Sequence, residues 1–170
     1  MIDRRTLMGA SGAALFGGFA FFGGRSTHAR TGKFEMQLSE AEWKKRLTPQ
    51  QYAVLREENT ERPNSSALNK EKRRGTYVCA GCGLPVFSSA TKFESGTGWP
   101  SFFEPLAGRV GTKRDFKLIL PRTEYHCARC GGHQGHVFDD GPPPTGKRYC
   151  NNGLALRFVP AGEPMPALRT

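Results

Sequence analysis

Two Cys-x-x-Cys pairs, Cys79-Ala80-Gly81-Cys82 and Cys127-Ala128-Arg129-Cys130, constrain this chain more than any other feature. Two cysteines spaced by two residues turn both sulfurs toward one point, and four thiolates suit a tetrahedral ion at metal–sulfur distances of about 2.3 Å. Glycine follows each pair, Gly83 in the first and Gly131-Gly132 in the second, which permits a tight turn and lets backbone N–H groups approach the sulfurs. Cys79, Cys82, Cys127 and Cys130 therefore read as a closed four-thiolate zinc site. Forty-four residues separate the pairs. That exceeds a short zinc ribbon, so one ion would staple two distant hairpins. Such a site supplies on the order of 10 kcal/mol of folding free energy and leaves no open position for chemistry. Two disulfides or redox dithiols are the alternatives at this level, and His126 is a lesser candidate to replace one thiolate.

The rest of the pattern is that of one small β domain. The 170 residues include 21 Gly and 12 Pro, and 37% are apolar, which suits a single turn-rich core. Short apolar runs broken by Gly and Pro predict strands at 76–79, 85–88, 115–120, 123–127, 136–138 and 148–158, too closely spaced for βαβ units. Before them, Ser39 with Glu42 and Thr48 with Gln51 form capping boxes for two short helices. Pro49 takes the first helical position. Trp43, Leu47, Tyr52 and Leu55 are expected to face the core, and Pro63 to end the helical region. Lys113 to Asp115 and Gly141 to Lys147 read as exposed loops. The fold class is mainly β: two small antiparallel sheets with short N-terminal helices, stapled by the four-cysteine zinc site.

Residues 1–29 carry the pattern of a targeting segment. Arg4-Arg5 precedes an uncharged Gly/Ala/Phe-rich stretch from Leu7 to Gly24, and Thr27-His28-Ala29 offers small residues for signal cleavage. The segment resembles a twin-arginine (Tat) export signal, with Asp3 standing where Ser or Thr is usual. Residues 30–38 read as a linker, 39–160 as the domain and 161–170 as a tail. No permanent membrane anchor is expected, since the apolar stretch is short and rich in glycine. The net charge of +10 falls to +8 without the three arginines and one aspartate of the signal. The only dense basic run is Lys70 to Arg74, so the charge is read as solubility and no nucleic-acid partner is expected.

Cys150 is the fifth cysteine. A strand beginning by Arg148 sets Arg148, Cys150 and Asn152 on one face, together with Leu154, Leu156 and Phe158 unless Asn151-Asn152-Gly153 bulges. Arg148 then favours the thiolate, and Asn152 is placed to donate to it. An inert buried thiol is the plain alternative; the neighbours favour a nucleophile. His133 and His136 lie three apart in Gly131-Gly132-His133-Gln134-Gly135-His136-Val137-Phe138-Asp139-Asp140. A nearby carboxylate can orient such an imidazole as a proton donor.

Together with Gly98-Trp99-Pro100-Ser101-Phe102, these segments resemble the methionine-R-sulfoxide reductase B family, in its order, over residues 37–160. The resemblance implies a zinc-stapled fold of two antiparallel sheets and reduction of the R epimer of methionine sulfoxide in polypeptides. It makes Cys150 the nucleophile, oxidised to a sulfenic acid. It places His133, His136 and Asp140 in the catalytic or sulfoxide-binding set, with Arg148 and Asn152 flanking the nucleophile. Trp99 and Phe138 would line the substrate site. Many members have a resolving cysteine where this chain has Thr97, and no sixth cysteine exists, so an external thiol reductant is implied. Oxidised proteins are the expected substrates, the periplasm the expected compartment and a monomer the expected state. The rival from another class is an exported zinc-ribbon binding module, which leaves Cys150 and both histidines unused.

Overall fold

The computed structural model describes residues 34–117 and 120–170. The expected export signal, residues 1–29, and the start of the expected linker lie outside the described residues. Among the described residues no helix is long and apolar enough to cross a membrane.

Both capping boxes form. Helix α1 (Glu40–Arg46) starts at Ser39 and helix α2 (Pro49–Glu57) at Thr48, each with reciprocal side-chain and backbone bonds to the third helical residue. Neither helix is long enough to be stable alone. Their packing stabilises them: Trp43, Leu47, Val54 and Leu55 are buried in the core, with Tyr52 half-buried against it.

Among the described residues nine strands follow: β1 (Gly75–Cys79), β2 (Pro85–Ser88), β3 (Lys92–Phe93), β4 (Ser101–Phe102), β5 (Val110–Asp115), β6 (Arg122–Cys127), β7 (His133–Phe138), β8 (Arg148–Asn151) and β9 (Leu156–Pro160). They form a three-stranded sheet, β2-β1-β9, and a six-stranded sheet, β3-β4-β8-β7-β6-β5. All pairings are antiparallel. The expected fold class is therefore the observed one.

Strand parity divides the large sheet into two faces. Phe102, Tyr125 and Tyr149 point to one side, where they meet Tyr77 and Phe87 of the small sheet. Phe87 stacks on Phe102 at 4.2 Å, and Tyr125 meets Tyr149 edge-on at 5.2 Å. Each such contact adds about 0.5–1.5 kcal/mol beyond area burial. The opposite face carries polar side chains in register: Ser101 opposite Cys150, Cys150 opposite His136, His136 opposite Glu124, and Glu124 opposite Lys113.

Three expected elements differ. The strand expected at 115–120 lies instead at Val110–Asp115, so Lys113 to Asp115 belong to a strand edge rather than a loop. Of the apolar run that suggested otherwise, residues 118 and 119 lie outside the described residues, and Phe116 and Leu120 are 72% and 77% exposed. Backbone pairing with β6 and ion pairs to Glu58 and Glu124 hold the charged residues extended. The single strand expected at 148–158 is two strands in different sheets, joined by a 3-10 turn at Gly153–Ala155. The Glu61 carboxylate captures the Gly153 and Leu154 N–H groups at 2.5 and 3.1 Å and turns the chain there. The shared face of Cys150 with Leu154, Leu156 and Phe158 is thereby broken. Residues 34–38 and 161–170, read as linker and tail, are docked. Met36 N–H donates to Arg129 O, Arg169 N–H donates to Cys82 O, and the Arg129 guanidinium donates to Arg169 O and Glu35.

Candidate active site

The four paired cysteines meet at one point. Cys79 lies 3.8 Å from Cys130 and Cys82 3.5 Å from Cys127, sulfur to sulfur. All four are buried, with ligand atoms within 4.8 Å of one another. Tetrahedral thiolates around one ion stand about 3.8 Å apart at a metal–sulfur distance of about 2.3 Å, so the donor set fits a metal. No cysteine is in a disulfide. The pairing runs across the motifs: each short contact joins one cysteine of the first pair to one of the second. Gln134 donates from Nε2 to the Cys79 sulfur at 3.5 Å. His126 is not in the cluster.

Cys150 is separate, half-buried at the middle of the polar row. It lines a cleft with Trp99, His136, Phe138, Arg122 and Thr60. Gly135, one residue before His136, touches the neighbouring strand so closely that a Cβ would sit 1.9 Å from Cys150 O. Burial pushes the Cys150 thiol above its ordinary range, and the Arg148 charge offsets this in part.

His136 faces the cleft with Nε2 2.7 Å from Asp115 Oδ2. Asp115 also accepts from Arg122 at 2.7 Å and from the Lys117 N–H at 2.9 Å. Burial works against ionisation of Asp115, but these donors and the imidazole outweigh it and hold its carboxyl at about 2. Burial lowers the His136 pKa, and Asp115 offsets this in part. With Asp115 ionised, Nε2 carries the hydrogen and Nδ1 remains an acceptor. His133 is fully buried, its Nδ1 2.7 Å from Glu124 Oε1 and its ring 5.5 Å from that of His136. The histidines thus have carboxylate partners, as the sequence suggests, but from β5 and β6 rather than from Asp139 or Asp140.

Asp140 instead holds Arg148 in a bidentate pair at 2.8 and 2.9 Å, and Arg148 lies 4.4 Å over the Phe138 ring. This fixes the guanidinium beside the thiol. Asn152 does not reach the sulfur in the manner expected: its side-chain NH2 donates to Gln134 O and its carbonyl accepts from Glu61 N–H. Trp99 lines the cleft with its Nε1–H on Glu61 O at 3.1 Å. Gly98, before it, has φ +93°, and a Cβ there would press on Pro63 at 2.8 Å. Glu61, Asp115, Arg122 and Glu124 carry the scaffolding of this site, and sequence reasoning missed them. The one available signal was charge inside apolar runs, as at Arg122 and Glu124 in the β6 segment.

A lone thiol opposite a carboxylate-held imidazole, on a fold stapled by four other cysteines, defines a thiol-dependent enzyme rather than a binding ribbon. The SelR domain model matches residues 47–160, and the chain belongs to that family. It is 56% identical over 124 residues to the peptide methionine sulfoxide reductase MsrB of Methanosarcina barkeri, covering 72% of this chain and 87% of that one. The MsrB of Leptospira interrogans is 52% identical over 126 residues, covering 74% and 96%. That of Agrobacterium fabrum is 53% identical over 127 residues, covering 74% and 94%.

Proposed function

We propose that this protein reduces the R epimer of methionine sulfoxide in oxidised polypeptides, with Cys150 as nucleophile. The observation that carries the reading is the register of Cys150 opposite His136 on β8 and β7, in a cleft with Trp99. Directly opposed residues of an antiparallel pair have Cβ atoms about 5 Å apart on one face. At rest Cys150 is a thiol and His136 a neutral acceptor. His136 takes the thiol proton, and the Asp115 carboxylate stabilises the imidazolium. The thiolate attacks the electrophilic sulfoxide sulfur while the imidazolium protonates the sulfoxide oxygen. The oxygen passes to Cys150 as S–OH, the substrate sulfur gains two electrons, and methionine leaves. The Trp99 and Phe138 rings suit the substrate's S-methyl side and Arg122 and His136 suit the oxygen, so the other epimer would bury oxygen against an aromatic wall.

An external thiol then displaces hydroxide, which takes the thiol's proton and leaves as water, giving a mixed disulfide. A second thiol releases Cys150. The ion of the four-cysteine centre is zinc, held by Cys79, Cys82, Cys127 and Cys130, and it builds the fold without entering the reaction. Arg4-Arg5 and the apolar stretch after them support twin-arginine export of the folded, metal-loaded protein to the periplasm, where it works as a monomer. The deciding experiment is Cys150→Ser assayed on peptide methionine-R-sulfoxide. It should abolish turnover while zinc content and melting temperature stay at wild-type values; turnover that survives overturns the reading.

A further inference from the structure

Glu61 takes no part in the chemistry above, yet it is a buried carboxylate, 8% exposed, and Thr60 before it lines the cleft. Its carboxylate accepts from Gly153 N–H at 2.5 Å and from Leu154 N–H at 3.1 Å. Its own N–H donates to Asn152 Oδ1 at 3.0 Å, and its carbonyl accepts from Trp99 Nε1–H at 3.1 Å. Asn152 is tied in turn to β7, donating from its N–H and Nδ2 to Gln134 O at 2.8 and 3.0 Å. One residue therefore grips both the chain that leaves the nucleophile strand and the indole of the cleft wall.

The two side-chain bonds fix where residue 61 sits. A buried carboxylate is costly unless its oxygens find donors, and the turn after β8 is shaped to bring two. A Cβ at Gly153 would lie 1.9 Å from Ser66 Oγ and 3.2 Å from Glu61 Oε1, so that position has room for the N–H and for no side chain. The two backbone bonds of residue 61 then fix other groups. The Trp99 backbone has a separate anchor, because Asn151 N–H donates to Pro100 O at 2.9 Å and β4 pairs with β8. What that anchor leaves open is the tilt of the indole, since the second side-chain torsion of an aromatic residue is broad. The Nε1–H bond to Glu61 O closes that freedom.

We infer that Glu61 is a positioning residue that sets the tilt of the Trp99 ring and, through it, the size of the S-alkyl group the cleft accepts. This rests on the reading of the cleft as a methionine sulfoxide site. A wall held at one angle closes on a methyl group and leaves no space for a longer alkyl, whereas a wall free to swing gives way to it. One methylene in an apolar pocket changes kcat/KM by roughly 10–200-fold, and the upper part of that range needs a wall that does not yield.

The test compares kcat/KM for a peptide carrying methionine-R-sulfoxide with that for the same peptide carrying the S-ethyl homologue, on the full metal-loaded chain. Glu61→Ala should lower the methyl-to-ethyl ratio by about tenfold. Glu61→Gln keeps one acceptor oxygen and should lower it by about threefold. A general loss of structure would slow both substrates alike, so an unchanged ratio in both variants overturns the inference. If Glu61→Ala does not load metal, Glu61→Gln carries the same ratio test. Hydrogen exchange at Trp99 Nε1–H, followed by NMR and assigned with Trp99→Phe, gives a readout independent of turnover. Exchange should speed up by about tenfold in Glu61→Ala and about threefold in Glu61→Gln, and rates equal to wild type also overturn the inference. Sulfoxide turnover surviving in Cys150→Ser would sink the functional reading, while the exchange rates would still decide whether Glu61 holds the indole.

Discussion

At the four-cysteine centre every sulfur is buried and faces other sulfurs at 3.5 and 3.8 Å. Cys150 is half-buried and sits opposite His136 of β7 and Ser101 of β4. The same side chain serves two purposes because the surroundings differ. Two-residue spacing is enough to aim a pair of sulfurs, and two such pairs close a metal site. Nothing local makes Cys150 reactive. Its neighbours come from β4, β7 and the cleft wall at Trp99, and Asp115 reaches it only through His136. Metal affinity is thus written in short motifs, whereas nucleophilicity is assembled by sheet register.

The largest effect is expected from removing one ligand of the closed site. Cys82→Ser should lose the metal and with it most of the folding free energy, on the order of 10 kcal/mol for a structural thiolate site. Elemental analysis and thermal melting followed by circular dichroism check this, and a metal-free variant that melts like wild type would remove the structural role. Next in size is Asp115→Asn, which leaves the thiol in place and takes away the anchor of His136. Turnover should fall by about a hundredfold, within the range of one acid–base group. Because Asp115 raises the His136 pKa against burial, the imidazole should titrate at lower pH in the variant. NMR titration of His136 tests the sign; an upward or absent shift would separate Asp115 from the mechanism. The smallest effect sharpens the other side. Deleting residues 161–170 removes the Arg169 contacts to Cys82 and Arg129. Metal loss to a chelator should speed up by roughly three- to tenfold, the weight of about one hydrogen bond, while sulfoxide turnover stays unchanged. Equal release rates would show that the docked tail does not shield the centre.

Some of this was legible along the chain. Ser39 and Thr48 cap their helices because a cap needs only residues three apart. The metal site, the lone Cys150, the histidine pair and Trp99 followed from spacing and from the family pattern. The two-sheet class followed from short apolar runs between glycines and prolines. The partners of these residues were not legible. Glu61 looks like one more charge after α2, yet its carboxylate turns the chain after Asn152, its N–H caps Asn152 and its carbonyl holds Trp99. Asp115 sits in a stretch that reads as an exposed loop, and the pairing of Asp140 with Arg148 spans two strands' ends that no local motif links.

The four-sulfur centre, the solitary thiol and the lack of a second redox cysteine depend on residue type and local spacing, so they were legible in the chain alone. Which carboxylate serves which imidazole, and that Asp140 clamps Arg148, depend on how the strands assemble. Strand register sets those contacts, and register is a long-range choice: one residue of slip would turn every side chain of a strand to the opposite face.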